Sequence, residues 1–427
     1  MLREVLHAGG LKLPASPHRA AIAIFWERLR LRWRGFAYRE RLVEDVSADD
    51  LERIDLCWAA TAGLSLFDVV SGAYFQAVHL RHALAAGEPQ RVVRALAWDA
   101  AHISAADSRA GPPALRLLGM ARQLADRLAH PQTCALLALA EGIVHHNLGD
   151  WQRGYDQLRE AHRQLCAHCM GVTWERDVAL AFQAWALFQM GKFTDLAALA
   201  EQFGRDANLR NDHFAAAHLA AFSAPMARLL AGDPAGARQA IHAEIPESGT
   251  ATLHLPRVTA LLSECRIDLY EGNSRRACER LESVWDRLVD AGILRAQRLR
   301  VVATHLRGGI AAAMSREQGL PARHAAKLER ERSPWATSFA DLIRAAILFR
   351  DGQSASSAAM LASCSDSFNR AGMPAYAAAA RYWRGLLLHD GEAREEAEGF
   401  LRTCGAAVPD RLAAALIPGF DRSSPEA

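Results

Sequence analysis

The chain has 427 residues, 51% of them hydrophobic, and its 50 Lys and Arg nearly balance 48 Asp and Glu for a formal net charge of +2. That balance excludes the one-sign field of a nucleic-acid or anionic-membrane binder, and the apolar fraction excludes a disordered chain. Eight cysteines (57, 134, 166, 169, 265, 278, 364 and 404) sit mostly in apolar helical patterns, as buried thiols of a reducing cytoplasm do, and not as a disulfide frame.

Residues 1–46 read as an N-terminal cap or linker. "MLREVLHAGGLKLPASP" puts Arg3, Glu4 and Lys12 where a signal peptide needs an unbroken apolar core, so export is not expected. "RLRLRWRGFAYRERL", residues 28–42, holds six arginines with Trp33, Phe36 and Tyr38 among them, a pattern able to neutralise phosphates and stack bases. The next segment, "VEDVSADDLERID" (43–55), carries six acids against Arg53. A basic block followed by its complement is expected to fold against that complement, so no nucleic-acid partner is predicted.

Residues 47–130 read as irregular helical hairpins. Ser47, with Asp50 three residues on, opens a helix through about residue 62. "LSLFDVVSGAYFQAVHLRHAL" (64–84) is the next, and "QRVVRALAWDAAHIS" (90–104) follows Gly87.

From 131 to 420 the sequence repeats. Six turns share one form, an apolar stretch and then Gly flanked by a small polar or charged residue, with glycines at 149, 191, 232, 272, 352 and 391. The gaps are 42, 41, 40, 80 and 39 residues, the fourth being two periods with a degenerate turn near "AAAMSREQG" (311–319). Around Gly191, apolar residues recur at helical spacing: Val178, Ala181, Phe182, Trp185 and Phe188 before it, and Phe193, Leu196, Ala197, Ala200 and Phe203 after it. In "AGDPAGARQ", Asp233 is placed to cap the next helix and Pro234 suits its first position.

Helix, tight turn and helix every forty residues predict an all-α, right-handed solenoid of tetratricopeptide-like hairpins with elongated helices. "LGDWQRGYDQLREA" (148–161) is the nearest match to that repeat. The tail, 421–427, is expected to be disordered. "VALAFQAWALFQM" (178–190) is too short and too polar to span a bilayer, so no membrane partner is predicted.

Candidate chemistry is sparse. Cys166 and Cys169 form a CxxC with His162 and His168 nearby, but a structural zinc site needs a second pair, and His162 lies on the apolar stripe of Trp151, Tyr155, Leu158 and Leu165. His145 and His146 lack metal-ligand spacing. Asp150, Asp233, Glu271, Asp351 and Asp390 recur at the turns and could line a helical-toroid hydrolase, although capping calls for the same residues in the same places. Trp185 and Trp285 read as core. No catalytic residue, metal ligand or cofactor is assigned; an interaction surface would come from side chains on the inner helices.

Four segments carry a resemblance: "AGLSLFDVVSGAYFQAVHLRHALAAGEPQRVVRALAWDAA" (62–101), "GVTWERDVA" (171–179), "SPWATSFADLI" (333–343) and "PAYAAAARYWRG" (374–385). They resemble the C-terminal helical region of large bacterial serine/threonine protein kinases with a central ATPase module, and "RLRLRWRGFAYRER" is similar to the segment joining ATPase to repeats there. In that family the kinase and Walker motifs lie upstream. This chain has no GxGxxG, HRD, DFG or GxxxxGK[ST], so no catalytic residue carries over. The resemblance implies a noncatalytic scaffold or sensor region that binds a protein, such as a kinase or ATPase component, with a small-ligand sensor as the alternative.

Overall fold

At five of the six hairpin turns where the sequence sets Gly before a polar residue, that glycine goes left-handed and one helix gives way to the next. Gly149, Gly191, Gly232, Gly272 and Gly352 have φ of 67° to 85°. In each turn the following N–H reaches back to the carbonyl five residues earlier, as Asp150 does to His145 and Lys192 to Leu187, both at 2.9 Å. This satisfies a carbonyl that the helix end would otherwise orphan. The sixth turn departs from the expected form. His389 takes the left-handed position (φ 55°), Asp390 caps the amide of Ala393, and Gly391 begins the helix.

The computed structural model describes residues 2–245, 253–314 and 319–420. The predicted tail, 421–427, lies outside these. The fold is an all-α solenoid in which consecutive helices pair as antiparallel hairpins. Among the described residues there is no strand, and no helix is long and apolar enough to cross a membrane.

The two helices of a hairpin differ in kind. First helices, such as Thr173–Gln189 and Leu255–Tyr270, are buried on nearly every face and form an inner layer. Second helices, such as Phe193–Arg210, bury one stripe (Phe193, Leu196, Ala200, Phe203, Ala207) and leave the rest to solvent. Ala197, expected on that stripe, is exposed, and Leu199 is half-buried in its place. Hairpins close tightly: a Cβ at Gly154 would lie 2.9 Å from the His146 amide nitrogen of the paired helix.

The solenoid also coils back on itself. The Trp151 indole N–H donates to the Ala371 carbonyl at 2.9 Å, Ser108 Oγ donates to the Glu331 carbonyl, and the Arg300 guanidinium reaches the Ala106 carbonyl. These pairs are separated by 220, 223 and 194 residues. Trp151 and Trp335 meet edge to face at 5.7 Å. A superhelical turn therefore brings later hairpins against earlier ones and narrows the space between inner helices.

Near the N-terminus the charges pair differently from the expectation. The arginines of 28–42 form no ion pair with the acids of 43–55 among the described residues. Arg28 pairs with Asp99 at 2.6 Å, and Glu40 pairs with Arg127 at 2.9 Å. On the acidic side, Asp55 binds Arg91 and Arg94. Both blocks pair with the hairpins that follow because Pro17–Arg34 folds as a helix along Val69–Ala86, which holds the two blocks apart. Ser47 opens its helix as expected, its hydroxyl accepting the Asp50 amide, but the helix runs from Ala48 to Phe67 and not to about 62. It breaks at Asp68, whose carboxylate accepts the Ser71 amide and starts Val69–Ala86.

Candidate functional site

First helices alternate large aromatic and small side chains on the face that looks inward, which leaves a groove along the inside of the superhelix. It holds about 170 Å³ of cavity and is open to solvent on one side. Trp98 and His102 come from Pro89–Ala106, Asn147 from Pro131–Asn147, and Trp174, Phe182 and Trp185 from Thr173–Gln189. The rings support one another edge to face: Trp98 and Trp174 are 5.7 Å apart, Phe182 and Trp185 4.9 Å. No Asp or Glu is among the described residues that line this groove.

At one end the groove meets the helix Gln297–Met314, and there Arg298 lies over the Trp185 ring with its guanidinium carbon 3.4 Å from the ring centroid. Burial, and then the positive charge of Arg266, push its pKa down to about 9. The side chain therefore remains a cation at neutral pH. Trp185, read from sequence as core, is a wall of this site; Trp285 stays in the core, under the Arg307 guanidinium.

A recess beyond Arg298 is lined by Gln189, Phe222, Thr259 and Arg266. Phe222 belongs to a π-helical turn, Leu219–Ser223. The cause is Pro225, which has no amide hydrogen to give the Ala221 carbonyl four residues back; Ser263 Oγ of the neighbouring inner helix donates to that carbonyl at 2.8 Å instead. "SAPMARLL" was the one sequence signal here, a proline inside a helical pattern. Arg266 and Arg298 gave none, because a lone arginine in a helix reads as surface.

Histidines near the groove are held neutral. Burial first, with Arg298 adding to it, drives His146 well below its usual range; the ring packs against Trp151 and Phe182, and both nitrogens lack partners among the described residues. His145 is 3.6 Å from Asp150 on the turn. Burial likewise brings His102 and His218 down to about 4.

The other candidate residues lie elsewhere. Cys166 is exposed, 3.6 Å from half-buried His162, and Cys169 caps the same helix. Among the described residues no three His, Cys, Asp or Glu side chains converge as metal ligands. Of the five turn acids, Asp233 and Asp390 cap helices as expected, with Asp233 accepting the Gly236 amide at 2.8 Å. The rest are not caps: Asp150 faces His145, Glu271 pairs with Arg238, and Asp351 pairs with Arg350. In the Glu271 turn, Asn273 is the cap.

A second feature is an outward apolar stripe on Pro17–Arg34, where Ile22, Phe25, Trp26 and Trp33 are 53% to 77% exposed. Comparison with known proteins gives no matching family model, and no curated protein matches significantly.

Proposed function

We propose that this chain is the noncatalytic sensor region of a bacterial kinase or ATPase signalling system, with the inner groove taking up a ligand. The observation that carries this reading is the groove itself: aromatic walls, a guanidinium at one end, and no carboxylate among its described lining residues. A mostly apolar wall with few polar groups suits binding of a ligand body and orientation of its head. Glycoside hydrolysis needs two carboxylates facing one space, and the turn acids are engaged in caps and ion pairs. The link to kinase or ATPase signalling rests on the sequence resemblance of 62–101, 171–179, 333–343 and 374–385.

A protein-docking scaffold is the second reading, favoured by the exposed stripe of Ile22, Phe25, Trp26 and Trp33. The purified chain, screened by thermal shift against a metabolite library, separates the two. Stabilisation by a small molecule that disappears in Ala105→Trp, which fills the groove without removing its wall, supports the sensor. Retention of a kinase or ATPase component that is lost in Trp26→Ser, with no small-molecule stabilisation, replaces it with the scaffold. Magnesium-dependent ATP turnover that co-purifies with the chain overturns both.

A further inference from the structure

The deep end of the groove holds more unneutralised polarity than a structural core tolerates. Arg298 forms no hydrogen bond or ion pair among the described residues, and its flat face is already occupied by Trp185. A stacked guanidinium keeps its N–H donors in the plane of the group, pointing away from the ring, where they match the two oxygens of a carboxylate. Arg266, 6% exposed, is the second cation; it lies over Phe188 and beside the Tyr376 hydroxyl, its Nε has no partner, and it too forms no ion pair among the described residues. Thr259 Oγ1 and Gln189 Oε1, on residues 5% and 6% exposed overall, are also buried in the same recess without partners among the described residues.

Arg266 is buried and Arg298 beside it is half-buried; two such like charges with no acid between them repel, and an anion joining them relieves that repulsion. We infer that this recess is a carboxylate site, and that the ligand of the groove is a small monocarboxylic acid with an apolar body, its head on Arg298 and Arg266 and its body against Trp174, Phe182 and Trp185. This rests on the sensor reading and narrows it. One carboxylate in the recess answers both arginines and gives the Thr259 hydroxyl an acceptor. The groove walls are mostly apolar and aromatic, with Ser65, His102, Asn147 and His218 as scattered polar groups, which suits an apolar body better than a sugar or a nucleotide base.

The test uses the full chain and matched probes: 4-phenylbutanoate against 4-phenylbutanol, decanoate against decanol, and inorganic phosphate, each followed by calorimetry and tryptophan fluorescence. The acids are expected to bind roughly tenfold or more tighter than their alcohols, the scale of a charge-assisted contact. Arg298→Met should erase that preference and leave alcohol binding in place. Arg298→Met should also melt at nearly the same temperature as the parent without ligand, because it removes a half-buried charge that has no ion-pair partner among the described residues; a large drop would mark Arg298 as structural and overturn the inference. The wild-type acid and alcohol comparison stands even if the variant misfolds. Equal binding of acid and alcohol overturns the carboxylate site but leaves the sensor reading intact. Phosphate binding as tight as the acids, or displacement of the acids by a peptide bearing a free C-terminus at lower concentration, overturns the ligand class. No binding by any probe overturns the inference, while the metabolite screen still decides the sensor reading.

Discussion

Acid should unfold this protein through its buried histidines, and His324 isolates the effect. The ring is 1% exposed, sits edge-on to Trp285 at 6.2 Å, and neither nitrogen has a partner among the described residues. Burial, then Arg307 and Lys327, bring its pKa down to about 4. His305 is 2% exposed and likewise held at about 4, mainly by burial. A base whose pKa is depressed on folding binds fewer protons folded than unfolded, so stability is complete above the unfolded pKa and is lost as pH falls toward the folded one. With an unfolded pKa of about 6.5, each such histidine costs about 1.3 kcal/mol between pH 7.5 and pH 5.5. The assay is urea denaturation of wild type and His324→Leu at both pH values. The variant should lose about 1.3 kcal/mol less than wild type on acidification. Equal losses in the two proteins would refute the reasoning.

Asp268→Asn should be among the most damaging single changes: the carboxylate is fully buried and meets Arg238, Arg276 and Arg280, and its loss should cost about 3 kcal/mol in chemical denaturation. A change below about 0.5 kcal/mol, the usual surface value, would discount that network. Gly154→Ala gains helix propensity of about 1 kcal/mol but presses a methyl onto the backbone of the paired helix, so a net loss of about 1–2 kcal/mol is expected; stabilisation would show that the hairpin can open. Changing Cys166 and Cys169 together to Ser should leave the melting temperature nearly unchanged and metal analysis at background, whereas one zinc per chain in the parent would restore the CxxC as a site.

The hairpin ladder was legible in the sequence because it is written in local chemistry: a left-handed residue to end one helix and, at Asp233, Asn273 and Asp390, a polar cap to start the next. Even its exception follows that rule, since Asp390 kept the cap and His389 supplied the turn that Gly391 had been expected to make. What a turn acid does was less legible, because an N-cap and an ion pair use the same side chain: Asp351 turns to Arg350 beside it, while Glu271 pairs with Arg238 of the preceding hairpin. The first fifty residues misled for a related reason. Arg28 finds Asp99 across 71 residues, a choice made by helix packing that charge order along the chain does not encode. The groove was hidden further still. Trp185 has the spacing of a core residue and does bury most of its surface; its other face becomes a site only once Arg298, more than a hundred residues away, is folded over it.

Self-contact along the superhelix changes what kind of object the repeats build. An open solenoid tolerates one hairpin more or fewer, since each unit answers only to its neighbours and stability grows term by term. Here Trp151 must meet Ala371, and Ser108 must meet Glu331, so the number of hairpins between them is part of the design. Removing one forty-residue unit would bring the wrong faces together along the whole seam. The chain is in this respect a coil closed on itself, whose seam joins residues roughly two hundred apart in sequence.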